Sequence, residues 1–199
     1  MNVGTASQAM CEPRYPVIAT QHLRLRPFQL EDIPSLVWAA NGHHVADTTL
    51  HFPYPFTAQY ARRWIRSHRT AWEIRDCIHW AVSALTDDHL VGYTCLDNLD
   101  FDERQAELTF WIGRGAERSL YAAEAIQAAL AFAFTTLQIN QVCAFHLTRN
   151  HLATHVFARV GMQQEGPLDD RLCTSDHFDS VIVRAISRAD WFASLSVGA

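Results

Sequence analysis

Lysine is missing altogether: all 16 basic residues are arginine. Neither a Schiff-base amine nor the phosphate-gripping lysine of a P-loop can operate without it, which removes two reaction classes. Cysteine is sparse. Cys11, Cys77, Cys95, Cys143 and Cys173 are odd in number, widely spaced and form no CxxC pair. That usage suits a reducing compartment rather than a secreted disulfide framework, so a cytoplasmic location is expected. No apolar run reaches the roughly 20 residues of a membrane span, and Met1 to Pro16 lacks the basic flank and apolar stretch of a signal peptide. No membrane insertion is expected. With 8 Gly and 7 Pro, the composition is neither collagen-like nor low-complexity.

What is present is the make-up of an ordinary globular protein. The chain has 199 residues, 49% hydrophobic and 19% charged, near the size of one domain and able to bury a core. Its 16 basic residues against 21 acidic ones give a net charge of −5. Overall attraction to nucleic acid is thereby lost, and a small molecule or a protein is the expected partner.

Along the chain, residues 1–19 show no periodicity and read as a flexible leader, either docked or free, with structure starting near Thr20. His22 to Arg26 alternates apolar and basic side chains and stops at Pro27, as an edge strand would. Glu31, Asp32 and Pro34 open a short helix ending near Asn41-Gly42. Thr57 caps an amphipathic helix running to about Arg75. His79–Leu85 and Leu90–Leu96 form a hairpin about the polar turn 86–89, and Gln105–Ile112 is a third strand. After a loop from Gly113 to Leu120 comes a strongly apolar helix, Tyr121 to about Leu137. Gln141–Leu147 is a strand, His151–Val160 a helix ended by Gly161, and Phe178–Ile186 the last strand, followed by a short tail from Arg188. Consecutive strands followed by alternating strands and helices give a mixed α/β layer, with an antiparallel front and a parallel pair behind. The 113–120 loop then lies at a strand-to-helix junction, where free helix N–H groups bind anions.

Several motifs occur in a telling order: Leu-Arg-Leu-Arg-Pro with Glu31-Asp32; Pro53-Tyr54 with Thr57 and Trp64-Ile65; Ala106-Glu107-Leu108 leading to Trp111-Ile112-Gly113; Tyr121-Ala122-Ala123-Glu124-Ala125; Asn150; Gly161-Met162; and Asp179 with Ala189-Asp190-Trp191. In this order they resemble the GNAT superfamily of acyl-CoA-dependent N-acyltransferases, in its RimJ/RimL-like branch, over residues 20–192, leaving 193–199 as a tail. The resemblance implies an α/β GNAT fold of one domain and an acetyl or related acyl group passed from CoA to a primary amine by direct attack in a ternary complex. The amine would belong to a small molecule or a protein N-terminus. No metal is implied, and a homodimer is compatible with it. The pantetheine arm would run along Phe110, Trp111 and Ile112. The pyrophosphate would sit on Arg118, Ser119, Leu120 and Tyr121, and Asn150 would contact the arm. Glu107 occupies the place of a carboxylate that deprotonates the incoming ammonium, with solvent exposure or an arginine pair as its alternative; capping is the alternative for Asn150.

Two departures stand out. The family run aromatic-Gly-x-Gly-Tyr reads Glu117-Arg118-Ser119-Leu120-Tyr121 here, with side chains where glycine's left-handed freedom is expected. Arg118 offers a guanidinium in exchange. The tyrosine that some relatives use to protonate the departing thiolate falls at Phe157. The replaced glycines motivate a second reading, a GNAT-shaped binding or regulatory protein that does not take CoA.

The remaining constellations carry less. His43-His44, Asp47 and His51 form polar loop residues or an acceptor pocket, with His44 and Tyr54 as candidate substrate contacts; Trp64 and Trp72 are assigned to packing. His151 and His155 are four apart but lack a third ligand. Arg62, Arg63, Arg66, Arg69 and Arg75 read as a solvated helix face.

Overall fold

The computed structural model describes residues 14–42, 53–113, 118–174 and 177–197. Eight strands make one sheet: β1 (Ile18–Ala19), β2 (Leu23–Arg26), β3 (Ile78–Ala84), β4 (Leu90–Asp100), β5 (Gln105–Ile112), β6 (Gln141–Leu147), β7 (Gln163–Thr174) and β8 (His177–Ser187). Their spatial order is β1-β2-β3-β4-β5-β6-β8-β7. Five helices accompany them among the described residues: α1 (Ile33–Ala40), α2 (Ala58–Glu73), α3 (Arg118–Thr135), α4 (His151–Arg159) and α5 (Arg188–Val197). Every neighbouring strand pair is antiparallel except β5 and β6. This is the expected antiparallel front with a parallel pair behind, and α3 is the crossover that a parallel connection requires.

The period of two along the strands divides the side chains between two cores. On one face Leu23, Leu25, Ile78, Trp80, Val82 and Leu108 meet the alanine-rich α3 and the inner side of α4. On the other, Ala81, Tyr93, Cys95 and Trp111 meet α1 and α2 through Leu36, Phe56, Ala61 and Ile65. Thr57 caps α2, its hydroxyl accepting the Tyr60 N–H at 3.2 Å. The arginines 62, 63, 66 and 69 stand on that helix's exposed side, as its pattern predicts.

The Leu-Arg-Leu-Arg-Pro motif has a structural cause. Arg26, with 6% exposure, makes a bidentate pair with Asp32 at 2.8 and 2.9 Å, and its Nε donates to Asp88 in the β3–β4 turn. Two buried charges are tolerable only in such full pairing, and removing one partner would strand the other. Glu124 on α3 accepts the His22 N–H at 2.7 Å and faces His22 Nδ1 at 2.8 Å, which ties that helix to the start of β2.

Four expectations need correction. Ordered structure starts before Thr20: β1 pairs with β2, the Tyr15 hydroxyl accepts the His79 N–H, and Trp80 donates its indole N–H to the Pro16 carbonyl. The fully buried Trp80 indole requires an acceptor, and the leader's end supplies it. Between Gly161 and Phe178 lies a further strand, β7, hidden from sequence reading by its Gly, Pro and acidic content and held by pairing with β8. The tail from Arg188 is helical. Ser187 caps it by accepting the Asp190 N–H, and Trp191 packs 5.5 Å from Phe134. Finally, α3 spans Arg118–Thr135 rather than 121–137. Among the described residues, no helix is long and apolar enough to cross a membrane.

Candidate functional site

β5 and β6 are clamped at their start and part at their end. Arg104 turns the chain with φ of 55°, and its carbonyl accepts N–H groups from both Asn140 and Gln141. The strands then pair for three residues, Gln105 with Gln141, Ala106 with Val142 and Glu107 with Cys143, and separate. β5 continues to Ile112 against β4 alone, while β6 continues to Leu147 against β8. From Leu108 to Ile112 the β5 edge therefore has no partner strand among the described residues, leaving backbone groups for something else to satisfy. The Phe110 and Phe157 rings meet edge-on at 5.3 Å, bringing α4 against the wall of this opening.

Glu107 is the last paired residue before the opening and is half-buried. It stands opposite Asp97 in the β4–β5 register. A bulge follows Asp97, and Asn98 adopts φ of 49°, which brings its Nδ2 to donate to Glu107 Oε2 at 3.0 Å. Of the alternatives to a base role, an arginine pair to Glu107 is not found among the described residues. Asp97 and Asn98 were missed in the sequence, where two polar residues at the end of an apolar run gave the only signal.

Phe110, Trp111 and Ile112 line the parted stretch, with Trp111 and Ile112 buried. At the far end, α3 begins at Arg118. The first four N–H groups of a helix lack intrahelical acceptors and carry roughly half a positive charge. None of Arg118, Ser119 or Leu120 has a positive φ, so the residues in place of the glycines sit in right-handed helix without backbone strain. Leu120 is 39% exposed. The side chain of Arg118 lies outside the described part. Tyr121 is half-buried, its ring 6.4 Å from that of His22.

Asn150 opens α4 and caps it, Oδ1 accepting the Ala153 N–H at 3.0 Å, while Nδ2 has no partner among the described residues. Phe157 is buried, and α4 ends in a Schellman pattern in which Gly161 N–H meets the Ala158 carbonyl and Met162 N–H that of Phe157. Gly161, at φ of 88°, is the left-handed residue expected there.

His146, also missed, is 2% exposed on β6. Its Nδ1 lies 3.0 Å from the Leu147 carbonyl, its Nε2 is buried with no partner among the described residues, and its ring is 5.7 Å from Phe157. Burial lowers its pKa, the backbone carbonyl opposes this, and the Arg184 charge adds to the lowering. An unsatisfied buried acceptor costs about 1–3 kcal/mol, so this atom is a place where a ligand's donor would be welcome.

His43, His44, Asp47 and His51 lie outside the described residues. Tyr54, just before α2, is 70% exposed. Trp64 packs against Phe28, Phe56 and Tyr93, and Trp72 against Tyr15, as assigned.

Residues 22–163 match the model of the acetyltransferase (GNAT) domain. The chain belongs to the GNAT acetyltransferase family. A curated relative, "Putative ribosomal N-acetyltransferase YdaF" of Bacillus subtilis (strain 168), is 27% identical over 107 residues, 54% of this chain and 58% of its own length. The chain thus matches little more than half of that GNAT relative. Among solved structures, Mycobacterium smegmatis RimJ in complex with CoA-disulfide superposes with a TM-score of 0.73 at 19% identity, over 87% of this chain and 89% of its own. RimL, described as a ribosomal L7/L12 alpha-N-protein acetyltransferase in complex with coenzyme A, gives 0.76 at 12% identity, over 86% and 98%. At such identities these two establish the fold.

Proposed function

We propose that this GNAT protein transfers an acetyl group from acetyl-CoA to the free amino terminus of a protein, by direct attack in a ternary complex. The observation that carries the reading is the parting of β5 from β6 immediately beyond Glu107, which leaves an unpaired strand edge beside a carboxylate. The names of the relatives support CoA as donor and a ribosomal protein as acceptor class.

The residues fit CoA. The unpaired edge from Leu108 to Ile112 offers N–H and C=O groups to an amide-bearing arm, as an added strand would use them. The first turn of α3, Arg118 to Tyr121, offers amide donors to a pyrophosphate, and Asn150 Nδ2 adds a donor across the opening. The thioester supplies an acyl carbon open to attack by nitrogen. Only a neutral amine attacks, so the ammonium must lose a proton first; Glu107 accepts it, with Asn98 fixing the carboxylate and Asp97 adding negative charge that draws the cation in. No basic side chain on this stretch of β5 competes for the carboxylate.

The test is turnover with acetyl-CoA on peptides that bear a free or a blocked amino terminus. Acetylation should require the free terminus, and Glu107→Gln should lower kcat/KM by about 10²-fold or more. An unchanged rate in that variant removes Glu107 as the base. Acetylation of small amines in preference to peptides would retain the enzyme and overturn the acceptor class. A non-catalytic binding protein, suggested by the residues at 118 and 120, predicts no response to acetyl-CoA at all.

A further inference from the structure

The transfer leaves one proton to be carried. As the amine nitrogen bonds the acyl carbon, the carbon–sulfur bond breaks and its electron pair goes to sulfur. One proton must then pass from that nitrogen to the sulfur, separately from the ammonium proton already taken by Glu107. The hydroxyl that the family resemblance would offer near the sulfur is absent, because position 157 is phenylalanine.

We propose that His146 carries this proton: Nε2 takes it from the nitrogen and hands it to the sulfur, then accepts a hydrogen bond from the thiol of free CoA. The inference rests on the acetyl-CoA reading above. Three observations lead to it. His146 lies on β6, the strand that bounds the opening opposite Phe110, and its ring stands beside Phe157, which itself touches Phe110. The carbonyl of Leu147 can only accept, so Nδ1 keeps its proton and Nε2 is the lone-pair nitrogen. That nitrogen is buried and has no partner among the described residues, and a buried polar atom left unsatisfied calls for an explanation. A resting histidine of this tautomer cannot act first as an acid; it must receive before it gives, and the departing pair of groups supplies both events. The bookkeeping closes, since the ring ends the cycle as it began. Burial, reinforced by the charge of Arg184, keeps the ring neutral and makes a transient imidazolium quick to release its proton.

The test compares CoA with desulfo-CoA, which differs only in the thiol, using the full chain. Wild type should bind CoA about tenfold more tightly than desulfo-CoA, and His146→Leu should bind the two alike. In the same variant kcat should fall about 10²-fold while acetyl-CoA binding stays near wild type, and adding Phe157→Tyr should restore part of the rate by returning a hydroxyl. If His146→Leu does not fold, the wild-type protein suffices: the Nε2 nitrogen resonance should move on adding CoA and stay in place with desulfo-CoA. Equal wild-type affinities for the two ligands, a resonance that ignores the thiol, or a wild-type kcat in His146→Leu each overturn the proposal. The enzyme reading fails on a different result, a wild type that neither binds acetyl-CoA nor acetylates a peptide.

Discussion

His68 brings two ring nitrogens into the space between α2 and the sheet, where both are buried without a partner among the described residues, and stacks on His79 at 4.2 Å. Burial and the neighbouring His79 push its pKa down to about 2. Burial likewise pulls His79 down to about 4, against the opposing pull of Asp97 and Asp76. In the unfolded chain both rings titrate near 6.5, so between that pH and about 4 the unfolded state binds protons that the folded state refuses. Stability is full above pH 6.5 and falls with acidification by about 1.4 kcal/mol per pH unit for each ring. Urea unfolding at pH 7, 6 and 5 should give a steep loss in wild type and a loss shallower by one ring's share in His68→Phe; equal slopes would show that His68 is not the group. At this scale the sequence was legible where a residue belongs to a motif. Glu107, Asn150 and Gly161 stand out in that way. His146 and Asn98 do not, because a polar residue within an apolar strand, or a polar pair at its end, reads the same whether its partner is a carbonyl, a carboxylate or nothing.

Elements were legible where cap and period agree. Thr57 at the start of α2 and Gly161 at the end of α4 are both confirmed by their hydrogen bonds. β7 was illegible for the opposite reason: Gly166, Pro167 and paired aspartates have poor strand propensity, and only β8 beside them makes a strand of them. The loop at 113–120 shows how a motif argument can overreach. Side chains at the glycine positions suggested strain, yet α3 simply starts earlier and takes them in its first turn. A stricter glycine requirement lies elsewhere. A Cβ on Gly92 would fall 2.4 Å from Ile112 Cδ1 and 2.5 Å from the Trp111 carbonyl oxygen, and the latter cannot rotate away. Gly92→Ala should therefore push β5 off β4 at the stretch that bounds the opening. It should cost roughly 1–3 kcal/mol and weaken CoA binding in parallel. Thermal unfolding together with a CoA titration checks both, and a variant with wild-type values for both would show that the β5 end is not held by this contact.

For the whole molecule, one sheet does two things at once: it is continuous enough to divide two cores, and it is interrupted where β5 and β6 part. The alternation of strands and helices in the second half made this architecture readable, since a parallel pair needs a crossover helix and an apolar helix follows Gln105–Ile112. The leader's docking was not readable, because Tyr15 and Pro16 meet residues more than 60 positions away. The proposed function requires that the parted strands and the first turn of α3 together hold an acyl-CoA. Calorimetric titration of the full chain with acetyl-CoA tests it most directly. Saturable binding of one equivalent in the micromolar range, about −8 kcal/mol, is the predicted result. No heat and no thermal shift at millimolar acetyl-CoA would contradict it and leave a GNAT fold serving as a binding module.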